Sequence, residues 1–376
     1  MCVHILICRD EHLWNELVFR SKLTLPDHFW HLADIHYILS DRKNYVLLPF
    51  VNRSILGFKA LLSYGLRMSG GPAPLKCYPL SSCINSIYKA LLLLIETENY
   101  DIINVTTKLY SNRFYALIIK ELVNKFSKYN DNLEVLVHTL KARILFVGDG
   151  GYDYLWQKLY NKKVRNAVRK FIKYGGKVRV LEEPLAHVKD ILRCNLSSPQ
   201  RQGRPLPSSY INPTLVYGGL KLYVDKYMKN GKFYVYGAFL DNELVGYSYI
   251  LFHNGHAYVS RFIVNLNYRR YCVGEGLLDG ILKDLIKSKF VKEIQYAYWS
   301  PLSAPGVDHF LKQFGFTVGK ELAIFVLNTS VPLELFIKFF LRLRIYEIEK
   351  KSKYPKHRKF YPVVRPLKNL CIRFFI

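Results

Sequence analysis

The chain has 376 residues, half of them hydrophobic and 15% aromatic, which excludes a disordered polypeptide and leaves room for two ordinary domains. Its net charge is +26, so an acidic partner is expected: nucleic acid, an anionic membrane surface, or a phosphorylated substrate. The opening MCVHILICRDEHLW has no signal-peptide architecture, and no run reaches the roughly 18 apolar residues of a membrane span, so the expected location is cytoplasmic, with peripheral membrane attachment as an option.

In chain order, VHILICR reads as a strand, and HLWNELVFRS and DHFWHLADIHYIL have helical spacing. NYVLLPFVNRSILGFKALLSY reads as two strands around a turn at Asn52-Arg53-Ser54, followed by the Gly/Pro-rich loop RMSGGPAPLKCYP. A helix from about residue 82 to 96, the strand YDIINVTTKL, the helix NRFYALIIKELVNKF and the strand LEVLVHTLKARILF complete the first half. GDGGYDY, around Gly148 to Tyr152, is the expected domain boundary.

In the second half, Asn161 caps a helix whose Val164, Val168 and Phe171 recur at helical spacing, and Gly175-Gly176 ends it. The strand KVRVLEE, the helix EPLAHVKDILRC, the polar segment NLSSPQRQGRPLPSSYI and the helix TLVYGGLKLYVDKYMKNG come next. Asp241-Asn242 and Asn254-Gly255 turn successive strands into a meander. After it come the basic, glycine-containing turn YRRYCVGEG, an amphipathic helix, the strand KEIQYAYWSP and the short helix GVDHFLKQFGF. From Val331 onward the chain changes to a basic, aromatic extension, LELFIKFFLRLRIYEIEKK and its tail. Seven cysteines (Cys2, Cys8, Cys77, Cys83, Cys194, Cys272, Cys371) show neither CxxC nor zinc spacing, so thiols are expected to be free and no metal site is expected.

A glycine turn between a strand and a helix N-terminus presents backbone N–H groups and the positive end of a helix dipole, a fit for pyrophosphate. Arg269, Arg270, Val273, Gly274, Glu275 and Gly276 make up that turn here. The two arginines read equally as anion ligands or as a solvated turn.

The order of these elements resembles the GNAT N-acetyltransferase superfamily, and more closely its FemAB-like group of two domains in tandem. The resemblance rests on the entry YDYLWQKLYNKKVRNAVRKFIKYGGKVRVLEE, the turn Gly274-Glu275-Gly276, and GVDHFLKQFGF; LPFVNRSILGFKALLSYG with SGGPAP looks like the first domain. Tyr271 stands where that superfamily usually has Gln or Arg, and Leu311 where it often has a Tyr general acid. The fold so implied is α/β, mixed sheets with flanking helices, in two GNAT-like domains at 1–150 and 151–330, with 331–376 as a basic amphipathic extension.

The activity implied is N-acyl transfer from a thioester donor, acetyl-CoA or another acyl-CoA, to an amine acceptor. In that fold the strands AYVSRFIV and EIQYAYWS part to admit the donor's thioester arm. Tyr298 then stands where an acid for the leaving thiolate is wanted, and Asp308 is a base or substrate ligand, or otherwise a helix N-terminal carboxylate. Arg261, a charge in an apolar strand, faces either solvent or the cleft, and Arg201, Gln202 and Arg204 sit in a segment that reads either as a substrate-facing loop or as a connection. The basic helix carrying Lys162, Lys163, Arg165, Arg169, Lys170 and Lys173 is a solvated face or a surface for tRNA or lipid head groups. Two alternatives therefore stand beside acyl-CoA chemistry: aminoacyl transfer from charged tRNA to a cell-envelope precursor, and a non-catalytic nucleic-acid or membrane-binding protein that retains the fold.

Overall fold

The computed structural model describes residues 4–20, strand segments between 35 and 108, positions 88, 92, 121, 124 and 125, and 133–328 apart from 202–203, 289–290 and 297–304. By packing, the chain divides into two units, Met1–Lys141 with Gly319–Ile376, and Ala142–Val318. The seam therefore lies inside two strands, whereas the glycine turn at Gly148–Tyr152 falls within the second unit.

The described part of the first unit holds β1 (His4–Ile7), α1 (Glu11–Arg20), β2 (Ile35–Asp41), β3 (Asn44–Ile55), β4 (Phe58–Ser63), β5 (Arg67–Gly70) and β6 (Ile102–Lys108). β1 to β4 pair antiparallel in sequence order, β4 pairs β6 in parallel, and β6 pairs antiparallel with β15 (Thr317–Asn328). Residues 35–39, the end of the second expected helix, belong instead to β2. Ile35, Tyr37 and Leu39 alternate with His36, Ile38 and Ser40, and this pattern serves a strand as well as a helix. β3 runs unbroken through Asn52-Arg53-Ser54, so the expected turn there is corrected: Ser54 and Ile55 still pair with Lys59 and Phe58. The expected helices near 82–96 and 112–126 lie outside the described residues except for single positions.

The second unit takes the end of β7 (Leu133–Phe146), then α2 (Gly151–Tyr154), which continues as a π-helical turn Leu155–Leu159, and α3 (Lys162–Lys173). The Asn161 side chain accepts from the Lys163 amide and caps α3, as the sequence indicates. β8 (Lys177–Val180), α4 (Val188–Leu196), the two-residue strands β9 (Gln200–Arg201) and β10 (Arg204–Pro205), α5 (Ser208–Ile211) and α6 (Pro213–Tyr223) follow. The meander is β11 (Phe233–Leu240), β12 (Glu243–His253) and β13 (His256–Val264). Its turns carry positive φ at Asp241 (48°), Asn242 (64°), Asn254 (51°) and Gly255 (78°), the left-handed pairs that tight hairpins require. α7 (Val273–Ser288), β14 (Glu293–Tyr296) and α8 (Pro305–Gln313) close the unit.

Strand order in the second unit is β8, β11, β12, β13, β14 and β7, with only β13/β14 parallel. The first unit has the same plan: four antiparallel strands, one parallel neighbour, and a last antiparallel strand. In each unit that last strand reaches into sequence assigned to the other unit: β7 begins at Leu133, and β15 follows α8.

In the second unit α3 and α7 cover one face of the sheet, where Val164, Val168, Phe171, Leu277, Leu278, Ile281 and Leu282 pack on Tyr236, Ala238, Ile250, Ala257 and Val259. Burial of such side chains contributes about 1.5–3 kcal/mol each relative to exposure. α4, α6 and their neighbours cover the other face. Among the described residues, no helix is long and apolar enough to cross a membrane.

Candidate functional site

β13 and β14 are adjacent and parallel, with His256–Val259 opposite Glu293–Tyr296. Beyond Val259 the strand β13 runs on to Val264, while β14 leads into residues outside those described. Tyr298, the expected acid, lies in that outside segment.

After β13 the chain makes a short 3₁₀ helix, Leu266–Tyr271, capped by the Asn265 side chain, which accepts from the Asn267 amide. Cys272 then takes a left-handed conformation, φ 57° and ψ 37°, and α7 begins at Val273. A non-glycine residue held at positive φ costs free energy and reverses the chain sharply. The first-turn amides of Val273, Gly274 and Glu275 have no intrahelical acceptor, and the Gly276 N–H donates to the Cys272 carbonyl at 3.0 Å.

The turn residues differ in what they face. Val273 is fully buried, and a Cβ at Gly276 would stand 2.2 Å from Phe171 Cδ1. Both positions look into the core, and a side chain at Gly276 would strike the α3 ring. Gly274 is the open position, where an added Cβ meets only Val264 Cγ2 at 3.8 Å and Phe310 Cε2 at 3.9 Å. Phe310 lies 6.1 Å from Phe262, and Phe262 lies 5.8 Å from Tyr296, giving an apolar wall from the turn toward the end of the parallel pair.

Arg269 is exposed, and Arg270 folds back on Tyr271, its Nη2 donating to the phenol at 2.6 Å. Tyr271 in turn meets Tyr174 edge-on at 5.0 Å. Burial pushes the Cys272 thiol pKa up, Glu275 adds to the rise, and Lys170 of α3 opposes it. The turn therefore has lysine and arginine charge around it and one carboxylate, Glu275, within it. A cavity of about 920 Å³ borders the same turn, lined by Arg193, Asn265, Tyr268, Arg270 and Tyr271 among others. Its one carboxylate, Glu243, accepts from Tyr268 at 2.6 Å and lies 3.4 Å from Arg193.

Asp308 opens α8 and is mostly buried, held by the Arg143 guanidinium from β7 and by Lys312 at 3.2 Å. Burial alone would raise its pKa, but the Arg143 and Lys312 contacts outweigh it and hold the carboxyl below its ordinary value. Arg143 also donates to the Phe316 carbonyl at 3.4 Å. A carboxylate so paired is a poor proton acceptor, and it ties α8 to β7. Sequence reading could not find this pair, since its members stand 165 residues apart.

Arg261 is half-buried on the face of the sheet opposite α7. The register between β12 and β13 shifts at Tyr249/Ile250, leaving Ser260 as a bulged residue. Without the bulge, Arg261 would share a face with Ala257 and Val259 in the α7 core. With it, Arg261 stands opposite Tyr249 on the α4/α6 face, its Cζ 4.0 Å from the Tyr210 ring and 5.0 Å from that of Tyr249. Arg201 and Arg204 are register partners in the β9/β10 hairpin, and Gln202 lies outside the described residues. Arg165, expected on the solvated face of α3, instead donates to the Trp156, Gln157 and Tyr160 carbonyls that end the π-helical turn.

Two carboxylates that the sequence reading did not single out are also engaged on α7. Asp279 accepts from Tyr152 at 2.7 Å and Asp284 from Tyr236 at 2.5 Å.

No family model matches the chain, and no curated protein matches it in sequence. Solved structures do match. FemX superposes with TM-score 0.60 at 10% identity, over 85% of this chain and 96% of FemX. The chain therefore shares the α/β fold of FemX. A conserved protein of unknown function from Bacteroides thetaiotaomicron matches with TM-score 0.53 at 9% identity, over 86% of this chain and all of that one. The C-terminal domain of a putative lysylphosphatidylglycerol synthetase from Agrobacterium fabrum matches with TM-score 0.50 at 8% identity, over 83% and 90%.

Proposed function

We propose that the chain is an acyltransferase of the GNAT/FemAB kind, in which the second unit binds an acyl-CoA donor and passes its acyl group to an amine. The observation that carries this reading is the Cys272 reversal, which starts α7 with the amides of Val273, Gly274 and Glu275 lacking intrahelical acceptors, in a turn that also carries Arg269 and Arg270. Those amides and the dipole of α7 suit a pyrophosphate. Gly274 leaves room for it, and the wall of Val264, Phe262 and Phe310 suits the pantetheine arm. Glu275 opposes the anion, so Arg269 and Arg270 have to offset it.

Transfer needs the acceptor amine uncharged, donors for the tetrahedral oxyanion, and a proton for the departing thiolate. The backbone of β13 past Val259 is the nearest candidate for the oxyanion donor, and Tyr298 remains the proposed acid. Asp308 is not assigned the base, because Arg143 and Lys312 already hold it.

Calorimetry with coenzyme A tests the donor site. Gly274→Asp puts a like charge into open space and should lower affinity at least tenfold while leaving the protein folded. Unchanged affinity in the folded variant overturns the assignment.

One observation favours a second donor, aminoacyl-tRNA. Lys162, Lys163, Arg169, Lys170 and Lys173 are all exposed on α3, the helix that adjoins the turn. Binding through them would fall steeply with salt, and coenzyme A would not compete for it.

A further inference from the structure

The cavity of about 920 Å³ beside the 3₁₀ turn is lined by none of Val264, Phe262 and Phe310, the proposed donor wall. It is bounded instead by α4, where Lys189, Leu192, Arg193 and Leu196 recur at i, i+3, i+4 and i+7 and so share one helical face. Ile191, Cys194 and Asn195 take the opposite face into the core. A volume of this order suits a small organic ligand rather than an ion alone.

The charges on its walls do not cancel. Arg193 donates to Asp190 at 2.9 Å and lies 3.4 Å from Glu243, and Glu243 also accepts from Tyr268 at 2.6 Å, so the cavity's own carboxylate is engaged. Lys189 and Arg270 have no carboxylate partner among the described residues; Arg270 uses one N–H on the Tyr271 hydroxyl. Asn265, also in the wall, is 2% exposed. Its Oδ1 accepts from the Asn267 amide, which fixes the orientation of the side chain, and its Nδ2 has no partner among the described residues. A buried amide donor without an acceptor is costly, so it points to an acceptor that a ligand brings. Leu196 is 58% exposed, and it supplies apolar surface together with Leu192 and the rings of Tyr268 and Tyr271, whose centroids are 6.1 Å apart.

We propose that this cavity binds a phosphate ester. The phosphate oxygens accept from Asn265 Nδ2 and face Lys189 and Arg270, while the esterified body lies on Leu192, Leu196 and the tyrosine rings. A bare inorganic anion leaves the leucines uncovered, and a neutral ligand leaves two cations and an amide unanswered. A phosphate also brings more charge and more acceptor oxygens to them than a carboxylate does. This is a second anion site, separate from the proposed pyrophosphate position at Val273, Gly274 and Glu275, and it does not rest on the acyl-transfer reading. A nucleotide and a lipid head group both carry this chemistry; the body attached to the phosphate tells them apart.

The test is calorimetry on the full chain with AMP, hexyl phosphate, hexanoate and inorganic phosphate at constant ionic strength. AMP or hexyl phosphate should bind saturably and severalfold more tightly than inorganic phosphate or hexanoate, and the tighter ester identifies the source as nucleotide or lipid. Asn265→Asp keeps the oxygen that caps the turn but sets a carboxylate against the phosphate, and should weaken ester binding about tenfold or more. Lys189→Gln should weaken it severalfold and leave coenzyme A affinity unchanged, whereas Gly274→Asp should leave ester affinity unchanged. The proposal is overturned if neither ester binds, if hexanoate or inorganic phosphate binds as tightly, or if Asn265→Asp binds the ester as the wild type does. If Asn265→Asp does not fold, Leu196→Asp on the exposed rim decides, and unaltered ester affinity there overturns it. Loss of ester binding in Gly274→Asp, or of coenzyme A binding in Lys189→Gln, merges the cavity with the donor site and overturns a second site. Ester binding without coenzyme A binding leaves the cavity site standing and removes the acyl-CoA reading, whereas the reverse result removes the cavity site alone.

Discussion

At the residue scale, two glycines two positions apart on α7 have opposite roles. Gly276→Ala gains helix propensity, about 1 kcal/mol, but drives a methyl into the Phe171 ring, and overpacking of this sort costs about 1–3 kcal/mol. A net loss of up to about 2 kcal/mol is expected in urea unfolding, partly recovered by Phe171→Leu. Gly274→Ala meets nothing closer than 3.8 Å and should be neutral. Equal effects at the two positions would contradict the assignment of faces. The Arg143–Asp308 pair gives a pH prediction. The folded carboxyl has a lowered pKa, so its contribution is present above the unfolded value of about 4 and is lost as pH falls through the folded value. Asp308→Asn should therefore cost about 3 kcal/mol at neutral pH by leaving Arg143 buried without its carboxylate. Its unfolding free energy should also vary less between pH 5 and 2 than that of the wild type. Parallel pH profiles would show that the pair contributes nothing.

At the element scale, what was legible followed from local chemistry. The Asn161 cap, the left-handed Asn254-Gly255 and Asp241-Asn242 turns, and the apolar stripe of α7 are each encoded within a few residues. β2 was misread because its alternation also fits helical spacing. The turn at Asn52 was misread because polar residues can sit within a strand whose other positions are paired. β15 was missed altogether. The bulge at Ser260 has no sequence signature, yet it decides which face Arg261 takes, so the sequence could pose that question and not answer it. Likewise the roles of Gly274 and Gly276 depend on Phe171, about a hundred positions away. Hairpin chemistry yields a prediction of its own. Asn242 sits at φ 64°, so Asn242→Gly should relieve strain and raise stability by about 0.5 kcal/mol. A loss of stability would mean that the Asn side chain holds the turn by contacts of its own.

At the scale of the whole molecule, the shared strand order of the two units explains how the chain can be read as a tandem fold. The order of elements persists where identity to FemX is 10%. The seam inside β7 predicts that a fragment 142–318 is more stable than one starting at 151, which lacks Arg143 and the strand beside β14. Urea unfolding should separate the two fragments by about 3 kcal/mol or more, the cost of stranding Asp308. Equal stability would place the working boundary in the glycine turn instead. The central claim is that the amides opening α7 hold the phosphates of the donor, and amide hydrogen exchange with and without saturating coenzyme A tests it most directly. The account predicts protection concentrated in 269–277, centred on Val273, Gly274 and Glu275, and absent in Gly274→Asp. Unchanged exchange across that turn at saturation, or protection confined to other segments, would contradict it.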